Sequence, residues 1–492
     1  MKAVQQRRRH ARLCALAIAV AFVVGQPTQL QEKSVQWRLQ AEQRAQAFVS
    51  SQKVSPENRL PRRVVSCTHA VAGAETRGSH CYLRAATSGE GLASEAKEAD
   101  PAPSLSRPMG WLLFGVSLTF LAHFASMYVQ LPGLYDISGI EPIASRPRDI
   151  ADTYLLQFFA SPEVGLEMIA FAGLLISFAQ VVLQGEAMRA GVHGAAAYVA
   201  LYVLWHDLYI AGGRFTQYQM DALLLDITPL CIVAALGVSE FAALFGLRWL
   251  FVRLYIGGGA VKLLSCDESW RDLTALHWHF QSQPLPNPLG VLAHIQLPDA
   301  LTAASTFMAV LLEITVPYLA LAPSLTLRQI AFGGHALLQG GIMLTGNFGT
   351  FNALTLVLGA SLLSEKDLPP VPGTTAGRAQ SEKPSPGSEM SWLADSYAVL
   401  FAIGAAVWTV HNLRASCNDT WDAAGLVYAA ILYIPLALTA SAPSIRAAGL
   451  AVLLLLGSCL PFARGLNVPL PVPSAFLAPF QVGSTSYGLF AR

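Results

Sequence analysis

Residues 111–131 read WLLFGVSLTFLAHFASMYVQL, an apolar run that contains no Asp, Glu, Lys or Arg. A helix needs roughly 17–25 residues to cross the hydrocarbon core of a bilayer, and this run is long enough. Because lipid offers the backbone no hydrogen-bond partner, the segment must satisfy its own N–H and C=O groups, as a helix does. The run therefore predicts a membrane-spanning helix.

Ten more apolar segments follow this one along the chain. Two of them, 221–236 and 351–364, are short for a full crossing and are interpreted as tilted or re-entrant helices. Together the segments predict an all-α fold, a polytopic transmembrane helix bundle of about 9–11 spans. The other eight segments are 163–184, 194–211, 239–263, 301–323, 328–346, 395–411, 424–441 and 446–463.

The composition agrees with a protein whose surface faces lipid. Of the 492 residues, 53% are hydrophobic and only 13% are charged, and the mean hydropathy is +0.45. A soluble domain carries about 25% charged residues, so this chain has too few polar side chains to cover a water-facing surface. The net charge of +1 gives no sign of nucleic-acid binding, and none is predicted.

The rest of the chain divides by composition. Residues 1–26 have a basic start and an apolar run, which is the pattern of a signal-like or targeting segment, and 27–108 is predicted to be a disordered leader. Residues 109–364 form the core membrane domain, with a long loop at 264–300. A flexible linker at 365–394, C-terminal membrane helices at 395–466 and a C-terminal tail at 467–492 follow.

One sequon suggests an orientation. Asn418-Asp419-Thr420 is a glycosylation acceptor if it faces a lumen. Alternating the spans outward from a lumenal Asn418 places the 264–300 loop in the lumen and the 365–394 linker in the cytosol. The same count places Pro108 in the cytosol, which conflicts with a signal peptide cleaved near residue 26. Either one short segment does not cross, or the leader is not an ordinary signal.

The seven cysteines form neither a CxxC pair nor a zinc pattern. Cys231 and Cys459 lie in apolar runs, where a free thiol behaves as a small hydrophobic group. Cys67 and Cys81 lie in a polar stretch and could pair in an oxidising compartment, although spacing alone decides little.

The segment from Lys262 to Pro288 is the richest in functional groups. It is interpreted either as a membrane-surface element that binds a client or a lipid, or as a loop folded back onto the bundle with aromatic anchors. His277 and His279 would share one side only on a strand, and no third ligand is evident, so no metal site is predicted. The candidate residues are Lys262, Asp267, Trp270, Thr274, His279, Gln283, Pro284 and Pro286.

Polar side chains within the apolar segments are costly in lipid and need partners. Asp221 and Asp226 are five residues apart, so on a helix they face different ways and make a poor carboxylate pair. Glu313 and Gln339 are predicted to hydrogen-bond between helices. No nucleophile, base and oxyanion donor converge, so neither catalysis nor a cofactor is predicted. The intramembrane polar candidates are Asp221, Asp226, Glu313, Asn347 and Asn352.

The segment from Lys262 to Pro288 resembles the signature of the lipase maturation factor family, K-L-x-S-G-D-x-x-W-x-x-L-T-A-L-x-x-H-Y-x-x-Q-P-x-P-x-P. The chain departs from it with Cys266 where Gly is usual and Phe280 where Tyr is usual. Further motifs resemble the family in the same order: VQLPGL at 129–134, GIEP at 139–142, QMDALLLD at 219–226, EITVP at 313–317, TGNFGTFN at 345–352 and SYGLF at 486–490.

The resemblance implies a multi-pass protein of the endoplasmic reticulum membrane. It implies a chaperone-like factor that helps secreted lipases fold and assemble, in contact with lipase clients and membrane lipids and without enzymatic activity. In the family a soluble lumenal domain follows the YGLF motif, whereas this chain ends at Arg492. The alternative is a membrane enzyme related to the vitamin K-dependent carboxylases, which would act on a quinone-type lipid cofactor with Lys262 or His279 as base.

Overall fold

The computed structural model describes residues 105–183, 189–283, 287–372 and 389–469, all within one compact unit, Ala102–Arg492. The predictions for 1–26 and for nearly all of 27–108 lie outside the described residues. So do those for Cys67, Cys81, Pro284 and Pro286, and for most of the linker and the tail.

Each of the eleven apolar segments forms a helix, and no strand occurs in the described ranges, so the predicted all-α polytopic bundle is confirmed. Four short helices lie between the long ones. In chain order the helices are α1 (Arg107–Leu134), α2 (Pro147–Ala151), α3 (Pro162–Phe178), α4 (Gly191–Gly212), α5 (Gln219–Ala235), α6 (Glu240–Leu264), α7 (Glu268–Arg271), α8 (Ala275–Gln281), α9 (Pro288–Gln296), α10 (Asp299–Ala320), α11 (Leu325–Thr345), α12 (Phe351–Gly359), α13 (Glu389–Arg414), α14 (Ala424–Ser441) and α15 (Ile445–Gly465).

Six helical stretches in the described part are long and apolar enough to cross a membrane, so this is a multi-pass membrane protein. The prediction of about 9–11 crossings stays a prediction. The six stretches are Arg107–Leu134, Pro162–Val182, Glu240–Leu264, Asp299–Ala320, Glu389–Arg414 and Cys417–Ser441.

The long helices run alternately between two faces of the bundle. On one face, which we call the signature face, Gln283 accepts a hydrogen bond from the Asn347 backbone and Arg271 donates to the Ala415 carbonyl. On the other, the linker face, Ser106 contacts Glu240. There too the Ser324 backbone donates to Asp395. The loops at 265–283, 287–298, 346–350 and 415–423 therefore share one face.

Two predicted boundaries differ in the structure. Helix α13 begins at Glu389, inside the predicted 365–394 linker, because the polar residues Glu389, Ser391 and Asp395 interrupt the apolar ones at its start. The 264–300 loop contains the short helices α7, α8 and α9, and α10 already begins at Asp299.

Helix α6 lies at the centre of the bundle and carries two basic side chains into it. Arg253 is 2.7 Å from Asp226 of α5, and both side chains are 3% exposed. Arg248 donates to the Ser361 carbonyl at 2.8 Å. A buried charge is tolerated only when it is paired and hydrogen-bonded, so these contacts fix how α5 and the end of α12 pack on α6.

Candidate functional site

The signature segment leaves α6 through a left-handed turn. Cys266 adopts a φ of +58°, a region that costs a non-glycine residue about 1–2 kcal/mol. Asp267 then caps the short helix α7 by accepting a hydrogen bond from the Ser269 backbone at 2.9 Å. Thr274 precedes α8 and donates from its hydroxyl to Asp272 at 2.6 Å. The predicted residues Asp267 and Thr274 thus shape the turn that positions α8.

A disulfide joins this turn to the C-terminal helices. Cys266 is bonded to Cys417, 151 residues further on, with 5.7 Å between their Cα atoms. Beside it, the Arg271 guanidinium donates to the backbone carbonyls of Leu263 and Ala415. The sequence alone predicts neither link, and the cysteine pair that it suggests, Cys67 and Cys81, lies outside the described residues. Two features of the sequence could have indicated the disulfide. Cys266 stands where the family usually has glycine, and the sequon count assigns the loops that contain Cys266 and Cys417 to the lumen.

Lys262 forms an ion pair rather than extending to the membrane surface. Its ammonium contacts the Glu313 carboxylate of α10, and the two side chains are 11% and 15% exposed. The same ammonium lies 5.2 Å from the centre of the Trp270 ring, a cation–π contact. The predicted residues Lys262, Glu313 and Trp270 therefore form one cluster that fastens the start of the signature segment to α10.

The end of α8 reaches the TGNFGTFN segment. The Gln283 side chain accepts from the Asn347 backbone at 2.9 Å, and its amide nitrogen donates to Nδ1 of His279 at 3.1 Å. The His279 ring stacks on Phe348, with 5.7 Å between ring centres. Burial lowers the pKa of His279 below its ordinary value of 6.5, so the ring is neutral at pH 7.

A cavity of about 340 Å³ opens where these two segments meet. Asn287 borders it and donates to the Gly346 carbonyl at 3.4 Å, while its oxygen caps α9. We call this space the asparagine cavity. Its lining residues are Asn287, Pro288, Met343, Gly346, Asn347, Phe348, Gly349 and Asn352.

Beneath the cavity a chain of hydrogen bonds runs into the bundle. Asn352 donates to the Gln339 oxygen at 2.5 Å, and the Gln339 nitrogen donates to the Tyr255 hydroxyl at 2.7 Å. Tyr255 in turn contacts Nδ1 of His335, whose Nε2 lies 2.9 Å from the Thr355 carbonyl. These hydrogen bonds run in one direction from Asn352 to Thr355, so the network ties α6, α11 and α12 together below the cavity floor.

The two aspartates of α5 have separate partners. Asp221 accepts from the Tyr218 backbone at 3.1 Å and lies 3.6 Å from Nε2 of His123. Asp226 pairs with Arg253 in the bundle centre. The structure therefore does not bring the two carboxylates to one site.

The two histidines of α8 point to different neighbours. The His277 ring lies 4.6 Å from that of His294 on α9, whereas His279 faces Phe348. In the described ranges, no three His, Cys, Asp or Glu side chains are grouped as a metal site would require. Trp278, between them, is 58% exposed, so it is the one residue of the segment that offers a large aromatic surface to a partner.

The comparisons with known proteins agree with these motifs. The model of the lipase maturation factor transmembrane domain matches residues 107–369, which is more than half of the chain. The chain belongs to the lipase maturation factor family. Within that match lie the signature segment, the TGNFGTFN segment and the asparagine cavity.

Individual proteins that are similar to this chain are named lipase maturation factors. Lipase maturation factor 2 of Mus musculus is 36% identical over 291 residues, which cover 54% of this chain and 41% of that protein. The Gallus gallus protein of that name is 33% identical over 343 residues, 64% of this chain and 46% of the relative. Lipase maturation factor 1 of Bos taurus is 28% identical over 207 residues, 40% and 35% of the two chains.

The chain thus spans less than half the length of these relatives. No solved structure matches it. The carboxylase alternative finds no support in any of these comparisons.

Proposed function

We propose that this protein is an endoplasmic reticulum membrane factor that assists the folding, maturation and assembly of secreted lipases and catalyses no reaction itself. The observation that carries the proposal is the contact between the signature segment and the TGNFGTFN segment, some 60 residues apart in sequence, on one face of the bundle. Because both segments belong to the family's membrane domain, their shared face is the surface on which a client would be held.

Two further features support a lumenal signature face. A disulfide such as Cys266–Cys417 forms and persists in an oxidising compartment. Asn418, the next residue, is exposed and belongs to the sequon. If the face is lumenal, digestion with a glycosidase shifts the chain on a gel, and Asn418→Gln abolishes the shift.

The partner surface is centred on Trp278. Trp270 is a poor probe of client binding, because it packs against Lys262 and its loss would also loosen the signature segment. Trp278 is exposed and its ring contacts the neighbouring His277, so its removal tests binding with little effect on the fold. Trp392, 73% exposed near the linker face, provides a matched control.

The test is co-expression of the tagged full-length chain with a secreted lipase, in cells without their own lipase maturation factors. Capture of the tagged chain should retain the lipase, and specific lipase activity in the medium should rise. Trp278→Ala should reduce both by several fold, and Trp392→Ala should leave both unchanged. Equal capture by the two variants would contradict the proposed surface. A quinone-dependent activity that is lost in Lys262→Ala would contradict the absence of catalysis.

A further inference from the structure

We propose that the asparagine cavity binds a neutral glycerolipid of the diacylglycerol class, with its glycerol hydroxyl and ester carbonyls among the asparagine side chains. The cavity's hydrogen-bonding groups and the apolar surface beside it favour such a ligand, independently of the proposed lipase function.

The first observation is a set of unused hydrogen-bonding atoms around the cavity. The Nδ2 amide of Asn347 has no partner in the described part of the chain, although its Oδ1 accepts from Gly349. Asn352 likewise donates to Gln339 and has its Oδ1 left to accept.

Gly346 lets this wall of the cavity pack closely on His279 and Gln283. A Cβ at this position would lie 3.1 Å from Nε2 of His279 and 2.9 Å from the Gln283 oxygen. A side chain there would therefore push the cavity wall away from these two residues. The backbone of Gly346 is extended, so the glycine is needed for space rather than for its conformational freedom.

The lining favours a ligand without charge. None of the residues around the cavity is charged, and burial keeps His279 neutral. The two N–H groups of the Asn347 amide and the Asn352 oxygen remain, which match two ester carbonyls and one hydroxyl. A phosphate group would be desolvated here with no cation to pair with it, so an anionic lipid is disfavoured.

The surroundings favour a lipid over a sugar. On α11, Met343 is 47% exposed and Leu344 58%, next to the cavity. On α9, Leu292 is 47% exposed and Ile295 71%, and α9 leads within three residues into the membrane-spanning helix α10. These apolar side chains continue the lipid-facing surface up to the cavity and offer acyl chains a path into the bilayer.

The experiment uses the purified full-length chain in phosphatidylcholine nanodiscs. A diacylglycerol with a photoreactive diazirine on one acyl chain is cross-linked, and the labelled peptides are identified by mass spectrometry. Labelling should saturate, map to residues 287–296 and 343–352, and fall when unlabelled diacylglycerol is added. Phosphatidic acid and free oligosaccharide should compete poorly.

Variants then test the residues. Asn347→Ala should weaken binding about five-fold, the effect of one hydrogen bond. Gly346→Ala should weaken it further, and Gln281→Ala, an exposed change on α8, should have no effect. Labelling that does not saturate, or that is equal in Asn347→Ala and Gln281→Ala, overturns the proposal. Competition by phosphatidic acid overturns the neutral class, and competition by oligosaccharide overturns the lipid. Should Gly346→Ala fail to fold, Asn347→Ala still decides the question.

Discussion

Helices α6 and α13 are nearly equal in length, 25 and 26 residues, but they are held in the protein in different ways. In α6, 83% of the apolar window is buried, compared with 28% in α13. The central helix carries Arg248 and Arg253 because protein groups surround and satisfy them. The peripheral helix faces lipid along most of its length, and its polar contacts and its link to the disulfide lie at its ends.

This difference in burial indicates which interactions hold each helix in the bundle. Lipid tails are as apolar as leucine, so apolar side chains give lipid-facing helices no hydrophobic drive to associate. The centre of the bundle therefore depends on buried polar pairs. The C-terminal helices depend on packing along α10 and on the links at the signature face, of which Cys266–Cys417 is covalent.

The largest loss of stability is expected from removing the ion pair at the centre of the bundle. Arg253→Ala leaves the Asp226 carboxylate buried without its ion-pair partner, which should cost about 3–5 kcal/mol of unfolding free energy. Unfolding in mixed detergent micelles measures this loss. Arg446→Ala, at an exposed position, is the control and should unfold like the unchanged protein. A similar stability for both variants would show that the buried pair does not hold the centre.

A smaller loss of stability is expected from removing the disulfide. Cys417→Ser should cost about 2 kcal/mol, the low end for a long loop, because inserted helices already restrict the unfolded chain. A protease site placed within the predicted 365–394 linker gives a direct readout. After cleavage, the two fragments of the unchanged protein should migrate together on a non-reducing denaturing gel and separate after reduction. Separation without reductant would contradict the link.

A finer comparison concerns the turn at Cys266. Both Cys266→Ala and Cys266→Gly remove the disulfide, but only glycine adopts the φ of +58° without a steric penalty. The alanine variant should therefore be less stable than the glycine variant by about 1 kcal/mol. Parallel unfolding measurements of the two proteins would reveal the difference, and equal stabilities would show that the turn relaxes.

The smallest effect is a pH dependence at the signature face. Burial lowers the pKa of His279 in the folded protein, whereas in the unfolded chain it keeps its ordinary value of 6.5. The unfolded state therefore takes up the proton first, and this contribution to stability is complete above pH 6.5 and declines as the pH falls below it. Hydrogen exchange of the Asn347 amide, corrected for its intrinsic pH dependence, should show less protection at pH 5.5 than at pH 7.5. His279→Gln should flatten that difference.

The sequence predicted the helices well because the length of an apolar run is itself the physical requirement for crossing a bilayer. It missed the start of α13, where Glu389, Ser391 and Asp395 interrupt the apolar residues. The sequence identified Lys262, Glu313, Asn347 and Asn352 as polar candidates. It did not show which group each of them contacts. Which groups meet depends on how the helices pack, and neither the Tyr255–His335 contact nor the Cys266–Cys417 pair is encoded in local spacing.

A lipase client can reach the signature face only if that face is lumenal, and the accessibility of single cysteines tests this orientation directly. Ser282→Cys places a thiol at an exposed position at the end of α8, and Lys366→Cys places one at the linker face. Both are made in a chain whose Cys14, Cys67 and Cys81 are replaced by serine. In sealed microsomes, an impermeant thiol reagent added outside should label the Lys366→Cys protein and spare the Ser282→Cys protein until the membrane is opened. Labelling of the Ser282→Cys protein in intact microsomes would contradict the lumenal presentation of the signature segment.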